Sequence, residues 1–321
     1  IDLRKSELKK RISVTRDADA SPVSVALFPG GERIAVGYSD GTLAIVSTTE
    51  GLPESEWNAG KGVAINEIEL SADGEKILTL DAEGRLSPWS ANGEPLGKVV
   101  QLDTSSIPEF LASDNRNALT ISGGIFAEAP FFSLIDFSLP DPAPRKIETP
   151  GKTASALAVR ADGGRFLTGF QDGTIQIWNR DGTPEGSPIL AHRATIWRLA
   201  FVEGTNWIAS ATTDGEVRIW GEGGEAMSSP MVGVAGEITE LSSLENGRFL
   251  SGVFANGSVL TWDNLGSQAR PGIYTRAVAE QVVFPRSRPD EMLVGLADGR
   301  LGVVDWNKSG EMIREVQISE G

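Results

Sequence analysis

The chain of 321 residues has a single histidine, His192, with Ser210 and Asp214 a short distance downstream. Serine, histidine and aspartate together are the parts of a hydrolytic triad, in which the imidazole takes the serine proton and the carboxylate holds its tautomer. A second possible chemistry lies in Asp40, Asp172, Asp214 and Asp298, oxygen donors spaced along the chain that could be ligands for a hard cation. They stand tens of residues apart and none lies in a D-x-D-x-D-G loop, so turn formation explains them better. The acidic stretch DADA at 17–20 reads as a solvated loop. Cysteine is absent, which excludes disulfides, thiolate metal sites and thiol nucleophiles, and one histidine excludes a His-rich zinc site. Carboxylates are plentiful, but spacing singles out no pair, and no cofactor or phosphate motif is present.

The elements that must position these residues repeat. QDGTIQIW at 171–178 returns as TDGEVRIW at 213–220, each an Asp-Gly turn followed by a strand that ends on Trp. Turn glycines fall at 41, 84, 173, 215, 257 and 299, in steps of 43, 89, 42, 42 and 42. The long step hides one further unit over 107–136, with NALTISGG at 117–124 and FFSLID at 131–136 as its strands. IFAEAP is then an extended hairpin loop, and PDPAPRK at 140–146 a Pro-rich outer connection. The period predicts an all-β fold, a seven-bladed β-propeller of four-stranded antiparallel blades. Asp-Gly between alternating strands predicts type I′ hairpin turns, and Pro88 predicts a weak or bulged third strand in the second unit. Residues 1–10 read as a linker or frayed segment, and 11–319 as one propeller. RISVT at 11–15 and MIREVQIS at 312–319 compete for one outer slot. Closure is by pairing of terminal strands, and the N-terminal strand is expected to take the place.

Charge narrows the partners. With 29 Lys+Arg against 44 Asp+Glu the net charge is −15, which opposes nucleic acid and anionic membrane surfaces. The basic runs Arg4–Lys5 and Lys9–Lys10–Arg11 are too short to reverse that field. No apolar run approaches the ~18 residues of a membrane helix. No signal peptide is visible, and the cytoplasm is the expected compartment.

The units resemble WD-repeat propeller blades over roughly 11 to 319. Trp262-Asp263 keeps the family's Trp-Asp pair. Trp178-Asn179, Trp220-Gly221 and Trp89-Ser90 keep the Trp, and Val46, Val304 and Ile135 replace it elsewhere. NGEPLG at 92–97 and DGTPEGSPIL at 181–190 look like the connections of bacterial WD repeats, which are often appended to multidomain signalling or defence proteins. The resemblance implies a structural role for the triad-like set. His192 would join Ser210 or Thr212, Asp214 and Trp220 in a network inside one blade, with Asp214 orienting the imidazole and the indole N–H reaching a buried acceptor.

In a propeller, the residues that open the innermost strands and those just before each turn Asp surround the channel on one face. Counting back along each strand gives Ser24 with Pro22, Asn66, Ser155, Thr195 with Trp197, Thr239 and Glu280; the turns add Ser39, Gln171 and Thr213. Trp197 is the large member of an otherwise small or polar set. It is either a binding hot spot, since these favour Trp, Tyr and Arg, or a cover over the neighbouring blade. Trp207 and Trp306 lie off the pattern and read as blade packing. The expected function is a non-enzymatic scaffold or sensor that presents this face to a protein or peptide, without cofactor, metal, nucleic acid or membrane. Two alternatives stand beside it: a propeller enzyme with carboxylates converging on the channel, and a structural or oligomerising module. The channel mouth separates them. Clustered buried carboxylates favour catalysis, an apolar patch around Trp197 a partner, and neither the structural module.

Overall fold

The computed structural model describes residues 20–317, except 30, 49–52, 72, 103–109, 114–116, 123–130, 233–237, 245–246, 264, 270–271, 275–278, 284–290, 297–299 and 306–311. The first sheet holds β1 (Pro22–Leu27), β2 (Arg33–Tyr38), β3 (Thr42–Ser47) and β4 (Pro53–Asn58). The second holds β5 (Ile65–Leu70), β6 (Lys76–Asp81), β7 (Arg85–Ser90) and β8 (Val100–Gln101). The third is β9 (Phe110–Ser113), β10 (Asn117–Ser122), β11 (Phe131–Asp136) and β12 (Arg145–Ile147). In the fourth are β13 (Ala154–Val159), β14 (Arg165–Phe170), β15 (Thr174–Asn179) and β16 (Pro184–Leu190). The fifth has β17 (Ile196–Val202), β18 (Trp207–Thr212), β19 (Glu216–Gly221) and β20 (Met231–Val232). The sixth follows with β21 (Ile238–Leu244), β22 (Phe249–Phe254), β23 (Ser258–Asp263) and β24 (Ile273–Tyr274). The last sheet is β25 (Ala279–Val283), β26 (Glu291–Leu296), β27 (Arg300–Asp305) and β28 (Met312–Gln317). Each is an antiparallel meander in chain order.

Burial explains why the strands differ in composition. β3 is buried along its whole length, as are most of β2, β14 and β15, because each sheet is covered on both faces by its neighbours. The outer strand β4, PESEWN, keeps alternating exposure at the rim. First strands pack on first strands in sequence: β1 on β5, β5 on β9, β9 on β13, then β17, β21 and β25. Leu293 and Val303 of the last sheet share a core with Leu27, Ile34, Val36 and Val46 of the first, so the two ends of the series meet. The architecture is an all-β propeller of four-stranded antiparallel blades.

Three expectations need correction. The slot in the last sheet is filled by β28, which pairs with β27 from Arg300↔Gln317 to Val304↔Met312, so the C-terminal strand completes it. RISVT at 11–15 lies outside the described residues. The Asp-Gly turns are not type I′, since only their glycines have positive φ, such as +81° at Gly173. Instead the Asp caps its own turn: Asp172 Oδ1 accepts the Thr174 N–H at 3.0 Å, and Asp40 Oδ1 that of Thr42 at 2.9 Å. Pro88 leaves β7 in register with β6. Its carbonyl accepts Leu96 N–H at 3.0 Å, so the side lacking a donor faces outward, and the inner ladder loses nothing.

Candidate functional site

Six of the first strands slip register by one residue at the same place. The extra residue is Val23 in β1, Asn66 in β5, Ser155 in β13, Trp197 in β17, Thr239 in β21 and Glu280 in β25. Such bulges re-aim one side chain without breaking the strand. The count from the sequence falls on these residues except in the first sheet, where it is one off. Leu27 pairs with Ile34 as Leu70 does with Ile77 and Phe201 with Ile208, so Leu27 and not Phe28 is the reference.

Their surroundings differ. Ser39, Gln171 and Thr213 sit exposed at the turns, and Asn66 is exposed beside them. Thr195, Trp197 and Thr239 are half-buried, and Thr195 Oγ1 donates to the Gln171 carbonyl at 3.2 Å, joining two adjacent sheets. Ser155 is fully buried and cannot touch a partner; its hydroxyl donates to the Ile196 carbonyl at 2.6 Å. The Glu280 side chain lies outside the described residues, as do Asp298 and Trp306. Trp207 packs against the core shared by the fifth and sixth sheets.

Among the described residues, Trp197 is half-buried and stands apart from the core cluster of the fifth and sixth sheets, which Trp207 joins. Arg198 lies over the Trp197 ring at 5.1 Å and donates from Nη1 to the Trp197 carbonyl at 2.9 Å. The same arginine donates from Nε to the Thr239 carbonyl of the next sheet at 2.6 Å. That link is one of a series. Ser24 Oγ donates to the Ile65 carbonyl at 2.7 Å, and the Val282 N–H donates to Glu240 Oε2 at 2.8 Å. With Ser155, these tie the first sheet to the second, and the fourth, fifth, sixth and last sheets in series, each link spanning one repeat of 41 or 42 residues. Sequence reasoning missed this series. Its signal is a polar residue recurring within otherwise apolar inner strands.

Two carboxylates near the axis are also new. Glu69 of β5 is pushed up to about 8, first by burial and then by the charges of Glu67 and Glu240. Glu240, from the sixth sheet, is raised to about 7 by burial, opposed by hydrogen bonds from Ser242 and Val282 and by the charge of Arg198. Ser242 Oγ donates to Glu240 Oε1 at 2.6 Å. Both groups sit in the inner strands, partly sheltered from water. They exchange protons near neutrality, the property required of an acid–base group. Arg198, which lies over Trp197, also acts on Glu240, so the surroundings of Trp197 are charged and not an apolar patch.

The triad-like residues lie apart from this face, inside the fifth blade. His192 Nε2 is 2.7 Å from Ser210 Oγ, which also accepts the Trp220 indole N–H at 2.9 Å. The serine oxygen has a second lone pair as well as its proton, so the ring tautomer sets whether Nε2 donates or accepts in this contact. Nδ1 faces Glu216 Oε2 at 3.6 Å, beyond hydrogen-bond range. Asp214 does not reach the ring; its carboxylate takes the Thr212 hydroxyl within the turn. The imidazole is fully enclosed, and burial first of all holds its pKa below 6.5. A serine hydroxyl locked between indole and imidazole has no path to a substrate.

Half of this device recurs. Trp178 Nε1 donates to Thr168 Oγ1 at 2.9 Å and Trp89 Nε1 to Thr79 Oγ1 at 3.0 Å, without a histidine. In the sixth sheet, which has the Trp262-Asp263 pair, Gly252 stands where the hydroxyl would be, and a Cβ there would meet the Trp262 ring at 2.9 Å. Asp263 instead caps the following turn, accepting Leu265 N–H at 3.0 Å and Ser267 N–H at 2.8 Å.

Residues 146–179 and 184–221 match the WD domain, G-beta repeat family. Each match takes the outer strand of one sheet with three strands of the next, β12 to β15 and β16 to β19. No curated protein matches the chain. Among solved structures, the β-propeller domain of Myceliophteria thermophila Cps50 (Swd1) superposes with a TM-score of 0.70 at 13% identity, covering 91% of this chain and 99% of that one. The computationally designed Ika8 protein gives a TM-score of 0.63 at 15% identity, covering 92% and 99%. Among the described residues no helix is long and apolar enough to cross a membrane. The repeat matches over two of the sheets, together with the propeller arrangement, support a WD-repeat β-propeller family for this chain.

Proposed function

We propose that the seven sheets close one seven-bladed ring and that this ring is a non-enzymatic scaffold or sensor, presenting the face around Trp197 to a protein or peptide. WD-repeat propellers generally mediate protein interactions, and this chain offers a suitable anchor. The carrying observation is the half-buried indole of Trp197, set at a strand bulge and held in place by Arg198. A rigid aromatic surrounded by exposed polar turn residues is the composition of a hot spot with its rim. Ser39, Asn66, Gln171, Thr195, Thr213 and Thr239 supply that rim. On the resemblance of its outer connections, we place the chain in a larger multidomain bacterial protein of the cytoplasm, with no role in nucleic-acid or membrane binding.

One observation favours the enzymatic alternative: Glu69 and Glu240 are raised to about 8 and about 7 by burial and proximity. Glu240, however, already accepts a backbone N–H from the next sheet and a hydroxyl from its own strand, the duties of a strut. Affinity capture with the intact chain, wild type against Trp197→Ala, tests the scaffold reading; Glu69→Gln, which spares the rim, tests the other. A partner lost with Trp197 and kept with Glu69→Gln supports the scaffold. A partner indifferent to Trp197 contradicts it.

A further inference from the structure

At the opposite end of the strands from Trp197, a cleft of about 640 Å³ opens between the third and fourth sheets. It lies between the turn after β11 and the β13–β14 and β15–β16 turns, with Leu134 and Leu139 as its apolar surface and Arg145 and Arg180 beside them. We propose that this cleft binds a carboxylate carried next to a branched apolar group, as in an acidic peptide side chain flanked by leucine, or a small free acid of that form.

In a chain with a net charge of −15, Arg85 pairs with Asp81, Arg160 with Asp162, Arg165 with Glu185 and Glu222, and Arg218 with Glu216. Arg145 and Arg180 have no carboxylate within ion-pair distance among the described residues. Nη2 of Arg180 is buried without any acceptor. Arg145 uses Nη2 on the Asp181 carbonyl, and the rest of its fork is uncommitted. It lies across the turn at Gly182, where a Cβ would come 2.7 Å from the guanidinium.

The acids around the cleft do not fill the role. Asp136 Oδ1 accepts the Ser138 N–H at 2.9 Å and its hydroxyl at 2.5 Å. Asp181 Oδ1 is occupied in the same way by Thr183, at 2.9 and 2.6 Å. Asp141 pairs with Lys98 at 2.9 Å. Each carboxylate thus stabilises its own turn or a neighbouring lysine; Asp181 also feels the charge of Arg145 but makes no ion pair with it, and the guanidinium donors remain for a ligand. Leu139 is 53% exposed there, an apolar contact without a cover. Two planar donors beside a leucine match a carboxylate with an aliphatic neighbour.

The test is calorimetric titration of the full chain with N-acetyl-Leu-Glu-amide, its Gln counterpart and N-acetyl-leucine. The Glu peptide should bind at least about tenfold more tightly than the Gln peptide, since only the former offers a bidentate acceptor. N-acetyl-leucine binding as well assigns the site to free acids; its failure assigns it to peptide side chains. Arg145→Gln and Arg180→Gln should each abolish the preference, and Arg180→Lys should retain only part of it. Equal binding of the Glu and Gln peptides by the wild-type chain, or no binding of either, overturns the proposal without recourse to any variant. Trp197→Ala should leave this titration unchanged, so its outcome is separate from that of the scaffold reading.

Discussion

Ser210 Oγ lies 2.7 Å from Nε2 of His192, on a loop eighteen residues upstream, and holds that ring against the blade interior. The backbone of His192 meanwhile donates to the Gly173 carbonyl of the preceding blade at 2.9 Å. A side chain at Gly173 would meet the His192 carbonyl at 2.2 Å, so only glycine permits this approach. One residue thus joins two blades, its main chain to the fourth and its imidazole to the fifth.

His192→Ala should therefore destabilise the fold by about 1–3 kcal/mol, by leaving the buried Ser210 hydroxyl without its imidazole partner. The wild-type contribution is pH-dependent. The folded pKa lies below 6.5, so the stability is present above that value and is lost as pH falls through the folded one. Thermal melts of both proteins across this range check the claim. An unchanged melting temperature would remove the network from the account.

Glu69 has the opposite sign. Its folded value of about 8 exceeds the ordinary 4.5, so the folded chain binds the extra proton between them. Stability contributed by this group is fully present below 4.5 and lost as pH rises through 8. Glu69→Gln should raise the melting temperature relative to wild type at about pH 8.5 and make little difference at about pH 5. A Glu69→Gln protein less stable than wild type at the higher pH would show that the carboxylate is favourably paired when ionised.

Much of this was legible in the repeat. The spacing of turn glycines located six of the sheets, and the double step before Gly173 with its hydrophobic runs located the third, where β10 and β11 begin at Asn117 and Phe131. The bulge positions were legible to within one residue, and the error at Ser24 arose because Leu27 and not Phe28 is the reference of the first strand. Ser155 entered the set by counting along its strand; its partner, the Ile196 carbonyl, belongs to the next repeat and is not visible in local sequence. Glu69 and Glu240 come from the second and sixth sheets, and only ring geometry brings their charges together. The trace they leave is a glutamate inside the otherwise strand-like INEIEL and ITELSS.

Removal of β28 is expected to expose the edge of β27, which pairs with it over Arg300 to Val304. A chain ending before Met312 should melt at a lower temperature and tend to associate through that edge. Light scattering with thermal denaturation tests this. Unaltered stability and a monodisperse monomer would mean that another strand can take the slot.

Trp197 tests the central claim most directly. With a captured partner in hand, its affinity for wild type and Trp197→Ala should differ by at least about 2 kcal/mol, a factor of roughly thirty, while the melting temperatures agree. Equal affinity for the two proteins, or a Trp197→Ala chain that fails to fold, would contradict the assignment of this face as the binding surface.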